Sequence, residues 1–480
     1  MNVLAIDQGT SSTKALVVGP GGNVLGESSV PVHPRAISDD AVEQDPQELI
    51  DSIVEAGRQA IEAAGSEVSA VGIANQGETV LRWDRETGRT DGPALSWQDR
   101  RAVEITHELA SQGDLLTELT GLPLDPYFAA PKMAWLRKSA EKGPSGGVIS
   151  TVDAWLNHQL TGTFVTDAAT ASRTMLLDLD RSDWSPQACD IFEIDPADLP
   201  TVVDCASVVG ETDAFGPRVP VAGLVVDQQA ALFAESCFDI GQAKCTYGTG
   251  AFILATAGQE PLRSHSRLAA CVAWKLDGAT TYCLDGQVYT AASAVTWLER
   301  LGLIGGAADL DGLGPGQDRG AMFVPALAGL AAPFWAPEAR AGWVGLSLAS
   351  DRDDLVRAVV WGIAAQVASL ASAIGDDLGR PLERLRVDGG LSRSSMLMQA
   401  QADLLQAPVE RYPSPDATAL GAGALARLGI GDSASPSEAV GAWAPTATFE
   451  PRMSADEAHE RLARWNAAAS ALADLSRREP

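Results

Sequence analysis

Histidine is scarce in this chain, with five among 480 residues, and no two stand at the helical spacing that holds a metal. Cysteine is also sparse. The six residues (Cys189, Cys205, Cys237, Cys245, Cys271 and Cys283) form no C-x-x-C pair and no zinc-ligand spacing. Zinc chemistry and a disulfide scaffold are therefore not expected; buried reduced thiols are. Positive charge is short as well, with 35 Lys and Arg against 63 Asp and Glu and a formal net charge of −28. A nucleic-acid backbone or an anionic membrane surface needs clustered cations, so neither is expected as a partner. The most apolar stretch, "AMFVPALAGLAAPFWAP", is broken by Pro325 and Pro333 and cannot be an uninterrupted membrane helix. The first residues enter a strand without a basic segment, so no secretory leader is expected and a cytoplasmic location follows. Also missing are a G-x-x-x-x-G-K-[ST] loop and a G-x-G-x-x-G turn opening a helix.

What is present is the composition of a soluble globular enzyme, 46% apolar and 20% charged. A chain of 480 residues exceeds what one core usually serves, which favours two domains. "NVLAIDQGTSSTKALVVGPGGNVLGES" reads as a hairpin and a third strand. "DPQELIDSIVEAGRQAIEAAG" reads as a helix capped by Asp45, entered at Pro46 and stopped at Gly65. "VSAVGIANQ" is then a buried strand. Near residue 220 the pattern returns: strand "PVAGLVVD", helix "QQAALFAESC", then the hairpin "QAKCTYGTGAFILATA". A later strand at Leu385–Val387 leads into "DGGLSRSSMLMQAQADLL", a glycine turn opening a helix. The fold class is α/β. Two similarly built domains, 1–236 and 237–480, are expected to face a shared cleft. "SADEAHERLARWNAAASALADLS" reads as a structural helix with a Ser454/Glu457 capping box.

Three small-residue turns carry the chemistry. In "IDQGTSST", Asp7 ends a strand and Gly9, Thr10, Ser11 and Ser12 make a tight turn. Such a turn can aim backbone N–H groups and hydroxyls at a phosphate while the carboxylate holds a hydrated Mg²⁺. Lys14 stands within reach of phosphate oxygens. An ordinary polar hairpin would read the same way. "YGTG" at 247–250 and "DGG" at 388–390 repeat the form, each after a strand. Together they suit a nucleotide clamped between the two halves. In "VVDQQAALF", Asp227 stands between a buried strand and a helix. It is either the helix N-cap or a general base that takes a substrate hydroxyl's proton during phosphoryl transfer.

The set "AIDQGTSSTKA", "DPYF", "TVDAWL", "TDAATASRTMLLDL", "VDQQAALF", "TYGTGAF" and "RVDGG" resembles the FGGY family of carbohydrate kinases, nearest to its glycerol kinase branch. The motifs run in the family's order from residue 3 to about residue 425. The resemblance implies two actin-like (RNase H-like) ATPase domains, with ATP and a small polyol or sugar in the cleft. It implies Asp227 as catalytic base and Asp7 near Mg²⁺. Thr10, Ser11, Ser12 and Lys14 fall in the first phosphate loop, Thr249 and Gly250 in the second. Ala292, Thr296, Gly389, Gly390 and Ser394 fall on the adenosine side. Gly77, Glu78, Trp97, Tyr127, Asp227, Gln228 and Phe252 match the polyol pocket, although Trp97 and Phe252 also read as core aromatics. A homodimer is allowed.

This chain departs from the family at several places. The pocket tripeptide, Gln-Arg-Glu in glycerol kinases, is Gln76-Gly77-Glu78 here. The absent arginine removes charged hydrogen bonds, each contributing about 1.5–3 kcal/mol. Ala292, Thr296 and Ser394 stand for Gly, Gln and Asn, and Lys14 for Arg. Ala129 and Trp361 break the two family signatures, and Arg218 matches an inhibitor-binding position but reads as a surface arginine. The expected substrate is a glycerol-like molecule or a longer polyol of four or five carbons, with a pentulose as the alternative within the family. A non-catalytic actin-like ATPase or sensor is the alternative outside it.

Overall fold

The computed structural model describes residues 1–38, 40–139, 147–313 and 319–476. Its first sheet begins with β1 (Val3–Gln8), β2 (Ser12–Val18) and β3 (Val24–Pro31), an antiparallel meander. Helix α1 (Pro46–Ala64) follows. The Asp45 side chain accepts the Gln47 N–H, Pro46 opens the first turn, and Gly65 closes the helix in the left-handed region at φ 60°. Strand β4 (Ala70–Asn75) then lies parallel to β1. Much later come β5 (Gly210–Thr212) and β6 (Val219–Val226), the latter parallel to β4. The order is β5-β6-β4-β1-β2-β3. Leu4, Ile6, Val17, Leu49, Ile53 and Ile73 fill the layer between this sheet and α1.

The second sheet repeats this plan. Helix α2 (Asp227–Ala234) leads to β7 (Ala243–Tyr247) and β8 (Ala251–Gly258), an antiparallel hairpin. Next come β9 (Ala269–Leu276), β10 (Ala279–Val288) and helix α3 (Ala292–Arg300). Helix α4 (Arg352–Leu378), β11 (Leu385–Asp388), helix α5 (Ser395–Leu405) and β12 (Val409–Arg411) complete the repeat. In both sheets a hairpin's first strand pairs in parallel with a later strand, which pairs in parallel with the next. Two sheets wound alike agree with the two similar halves expected from the sequence.

The chain then crosses back. Helix α6 (Ala417–Gly429) lies across β1, β4 and β6 and against α2. Its Ala- and Gly-rich sequence permits that approach: a Cβ on Gly421 would stand 2.0 Å from the Ala230 carbonyl oxygen. The final elements are β13 (Ala447–Phe449) at the edge of the second sheet and α7 (Ala455–Ser476). The Ser454 hydroxyl accepts the Glu457 N–H at 3.3 Å, one half of the expected capping box.

Among the described residues, α4 alone is long and apolar enough to cross a membrane, yet 83% of its most apolar window is buried in the protein. It is the central helix of the second core. The stretch at 321–337 contains only the short strand Met322–Val324 and irregular chain. All six cysteines are free and buried.

Candidate active site

Parallel pairing decides where the chemistry sits. Gln8 of β1 stands beside Asn75 of β4, and Asn75 beside Val226 of β6. The C-terminal ends of three strands therefore share one edge, which brings Asp7, the 76–78 turn and Asp227 together. In α/β sheets this edge is where ligands bind. On the second sheet, Thr246 of β7 stands beside Asp388 of β11, aligning the 247–250 turn with the 388–390 loop. Burial, then the charges of Asp227 and Asp416, pushes the Asp7 carboxyl up to about 8; Lys14 opposes this and Asp388 adds to it. The carboxylates of both halves thus converge on one cleft.

The first turn is held from outside. The Gly9 N–H donates to the Ser12 carbonyl at 3.1 Å, and Val32 N–H to Ser11 at 2.9 Å. Gln44 donates to the Thr10 carbonyl at 3.0 Å. The Trp97 indole N–H donates to the Thr10 hydroxyl at 2.8 Å. Ser11 is exposed, Ser12 half-buried, and Lys14 pairs with Asp416. The second turn is tied to the start of α3: Ala291 and Ser293 donate to the Thr249 carbonyl, and Ala292 to Gly248. Thr249 is exposed at its tip and Gly250 is buried. In the third loop, Gly389 has φ 83°, and a Cβ there would stand 2.5 Å from the Tyr247 carbonyl oxygen. Only glycine fits, so this loop lies directly on the second turn.

On the adenosine side the expected residues are less closely gathered. Ser394 caps α5, and its hydroxyl donates to Asp311 at 2.9 Å. Thr296 and Gly390 are exposed. Arg218 is 72% exposed and pairs with Glu211, a surface arginine. Trp361 packs under the Arg461 guanidinium, 4.2 Å from its ring centroid, and Ala129 begins a buried helical turn.

The pocket aromatics meet. Trp97 lies edge-on to Tyr127 (5.9 Å between centroids) and to Phe252 (6.1 Å). The last of these comes from the second half, so the pocket is built by both. Asp227 is the first residue of α2 but not its N-cap, which is Val226. One carboxylate oxygen of Asp227 accepts the Gln228 N–H at 2.7 Å. Burial, then the Glu78 charge, pushes the Asp227 carboxyl up to about 6, while Lys244 and the Gln228 N–H hold it down. A carboxylate poised there can be ionised at neutral pH and still accept a proton in the reaction.

Gly77 is not in the left-handed region. That demand falls on Glu78, at φ 53°, in a three-residue turn closed by Thr79 N–H to the Gly77 carbonyl at 2.6 Å. A Cβ on Gly77 would meet one atom beyond its chain neighbours, Val226 Cγ2 at 3.0 Å, and nothing else within 4 Å. A side chain at 77 would have to ease that tight contact, and the glycine leaves the position next to Glu78 in sequence without one.

Three buried basic side chains beside the site escaped the sequence reading. Arg173 donates to Glu78 Oε1 and to Asp285 Oδ2, both at 2.6 Å, with all three side chains at most 5% exposed. It lies inside the quoted "TDAATASRTMLLDL", but no local pattern marks its partners, one 95 residues away and the other 112. Lys132, fully buried, donates to the carbonyls of Pro126, Tyr127 and Phe128 and so fixes the turn that presents Tyr127. Lys244 is the third, beside Gln228.

Comparison with known proteins agrees with this geometry. The FGGY carbohydrate-kinase N-terminal domain matches residues 2–234, and the C-terminal domain matches residues 243–429. A glycerol kinase of Alkalilimnicola ehrlichii is 41% identical, covering 97% of each chain. A "glycerol kinase 2" of Thermotoga maritima is 38% identical, covering 98% of each chain. The crystal structure of Plasmodium falciparum glycerol kinase with ADP superposes with a TM-score of 0.91 at 29% identity, over 98% of each chain. A ligand-bound xylulose kinase of Lactobacillus acidophilus shares the fold, with a TM-score of 0.89 at 21% identity over 98% of each chain. With both domains matched in order on an actin-like (RNase H-like) pair of sheets, this chain belongs to the FGGY family of carbohydrate kinases.

Proposed function

We propose that the protein transfers the γ-phosphoryl group of ATP to a terminal hydroxyl of a small linear polyol, with a pocket suited to four or five carbons. The carrying observation is the room left by the missing side chain next to Glu78: beyond its chain neighbours and a tight contact with Val226 Cγ2 at 3.0 Å, a Cβ on Gly77 would meet nothing within 4 Å. An added carbon and hydroxyl can fill it. Glycerol is the second reading, favoured by the glycerol kinases at 41% and 38% identity.

Residues 1–236 carry the substrate pocket except for Phe252, with the first phosphate loop and the base; residues 237–480 carry the nucleotide face, apart from α6. Thr10, Ser11, Ser12 and Lys14 hold phosphate oxygens from one side, and Thr249 and Gly250 from the other. Ala292, Thr296, Gly389, Gly390 and Ser394 border the adenosine. Mg²⁺ would be held at Asp7, where the charges of Asp227, Asp416 and Asp388 crowd the carboxyl and a cation would relieve them; that ion keeps waters and shares phosphate oxygens, so it needs few protein ligands. When bound it neutralises phosphate charge. Glu78, fixed by Arg173, and Gln228 orient the polyol against Trp97, Tyr127 and Phe252. Asp227 then accepts the attacking hydroxyl's proton. Closure of the halves excludes water that would otherwise take the phosphoryl group. The reaction belongs in the cytoplasm, where ATP is supplied.

The test is an ADP-release assay against glycerol, tetritols, pentitols and ketopentoses. Polyol-dependent release, strongest with a four- or five-carbon polyol, is expected. Release indifferent to every polyol and sugar would refute the kinase reading for this pocket.

A further inference from the structure

Lys244 is a cation with no exposed surface, one strand from the reaction. Its Nζ donates to Gln228 Oε1 at 2.5 Å and to Thr246 Oγ1 at 2.8 Å. The carboxylates of Asp227, Asp388 and Glu235 surround it closely enough for its charge to lower each of them. Desolvating an ammonium is costly, and these neighbours offset that cost.

The pairing has a geometric consequence. An ammonium has donors and no acceptor, so only the oxygen of the Gln228 amide can meet it. The amide NH₂ must then point away from Lys244. Gln228 is half-buried on the first turn of α2, next to Asp227; its backbone N–H is given to the Asp227 carboxylate, and its side-chain amide also helps to hold that carboxylate down, so the NH₂ end lies on the Asp227 side. A glutamine free to flip would present either end to a ligand; this one cannot.

We propose that Lys244 is a positioning residue for substrate recognition: it locks the Gln228 amide so that its NH₂ donates to a polyol hydroxyl oxygen beside the one Asp227 deprotonates. The inference rests on the polyol reading of the pocket. It gains weight from Gly77, because the tripeptide there supplies no side-chain donor between Gln76 and Glu78. Thr246 provides the second anchor, and it stands beside Asp388, the residue before the Gly389 loop. The same lysine therefore ties the substrate helix to the strand ends that carry the nucleotide loops.

Steady-state kinetics on the full-length protein decides the matter, with the most active polyol and with ATP varied separately. Gln228→Glu keeps the shape and the bond to Lys244 but has no NH₂. It should raise the polyol KM about tenfold, the loss of one hydrogen bond, and leave the ATP KM within about twofold. Lys244→Met should do the same, and Lys244→Arg should restore most of the affinity. In a Gln228→Ala background, Lys244→Met should add little further. An unchanged polyol KM in Gln228→Glu overturns the proposal, even if Lys244→Met fails to fold. So does a Lys244→Met variant whose ATP KM rises as much as its polyol KM. A wild-type protein that turns over no polyol overturns both this inference and the reading beneath it.

Discussion

Asp227→Asn should lower kcat/KM for the polyol by about 10²–10⁴-fold, the contribution expected of a positioned general base, with the fold and the ATP KM nearly unchanged. The substitution keeps the side-chain shape and can still accept the Gln228 N–H that Asp227 accepts at 2.7 Å. What it loses is the ability to take the hydroxyl's proton. The wild-type pH profile provides a second readout. A base whose carboxyl stands at about 6 is protonated below that pH, so kcat/KM should fall as pH drops through it and level off above. The Asn variant should lose this acid limb. If Asp227→Asn left ATP turnover undiminished, the chain would be an actin-like ATPase without a phosphoryl acceptor in this pocket.

Arg173→Met should be the most destabilising single change in the site, by about 3–5 kcal/mol. The guanidinium lies between Glu78 and Asp285, 2.6 Å from each, and no side chain of the three exceeds 5% exposure. Without it, two carboxylates remain buried near one another with no cation between them. The fall in thermal midpoint should be about 3–5 °C for a protein of this size. Its pH dependence has a definite sign. Burial, partly countered by Arg173, already holds the Glu78 carboxyl above its ordinary value. Removing the arginine raises it further, so the variant is most stable where Glu78 is protonated and loses stability as pH rises through the folded-state value. Thermal melts at low and neutral pH check this. Adding Glu78→Gln and Asp285→Asn should recover much of the stability but not the activity, because in the proposed pocket Glu78 also orients the polyol. A melt unchanged in Arg173→Met would mean the triad contributes nothing to the pocket's rigidity.

How much of this was legible beforehand follows from the range of the interactions. The hairpin ending at Asp7, the capped helix α1 and the strand before Asp227 are local patterns, readable from periodicity and turn residues alone. The repetition of a small-residue hairpin already implied two similar halves. Helix α6 was not readable in the same way: its sequence belongs to the second half, while its small residues fit backbone surfaces of the first, such as the Ala230 carbonyl. Arg173, Lys132 and Lys244 were missed for a related reason. Each is a buried cation defined by partners brought near by folding, and a lone Lys or Arg among apolar residues carries no spacing signal. Gly77 was visible as a departure, but its meaning was not. Only the backbone shows that the unusual φ belongs to Glu78, so the turn does not by itself demand the glycine, while a Cβ at 77 would press on Val226.

Whether Gly77 opens the polyol pocket beyond glycerol is read from one ratio. That ratio is kcat/KM for the most active four- or five-carbon polyol over kcat/KM for glycerol, in the wild type and in Gly77→Arg. The arginine variant is also made with Val226→Ala, since a Cβ at 77 would stand 3.0 Å from Val226 Cγ2. The wild type should favour the longer polyol. Arginine should move the ratio towards glycerol by about tenfold or more, the value of a restored charged hydrogen bond. A wild type that turns over glycerol far better than every longer polyol, with a ratio unmoved by the arginine, would contradict such an opening.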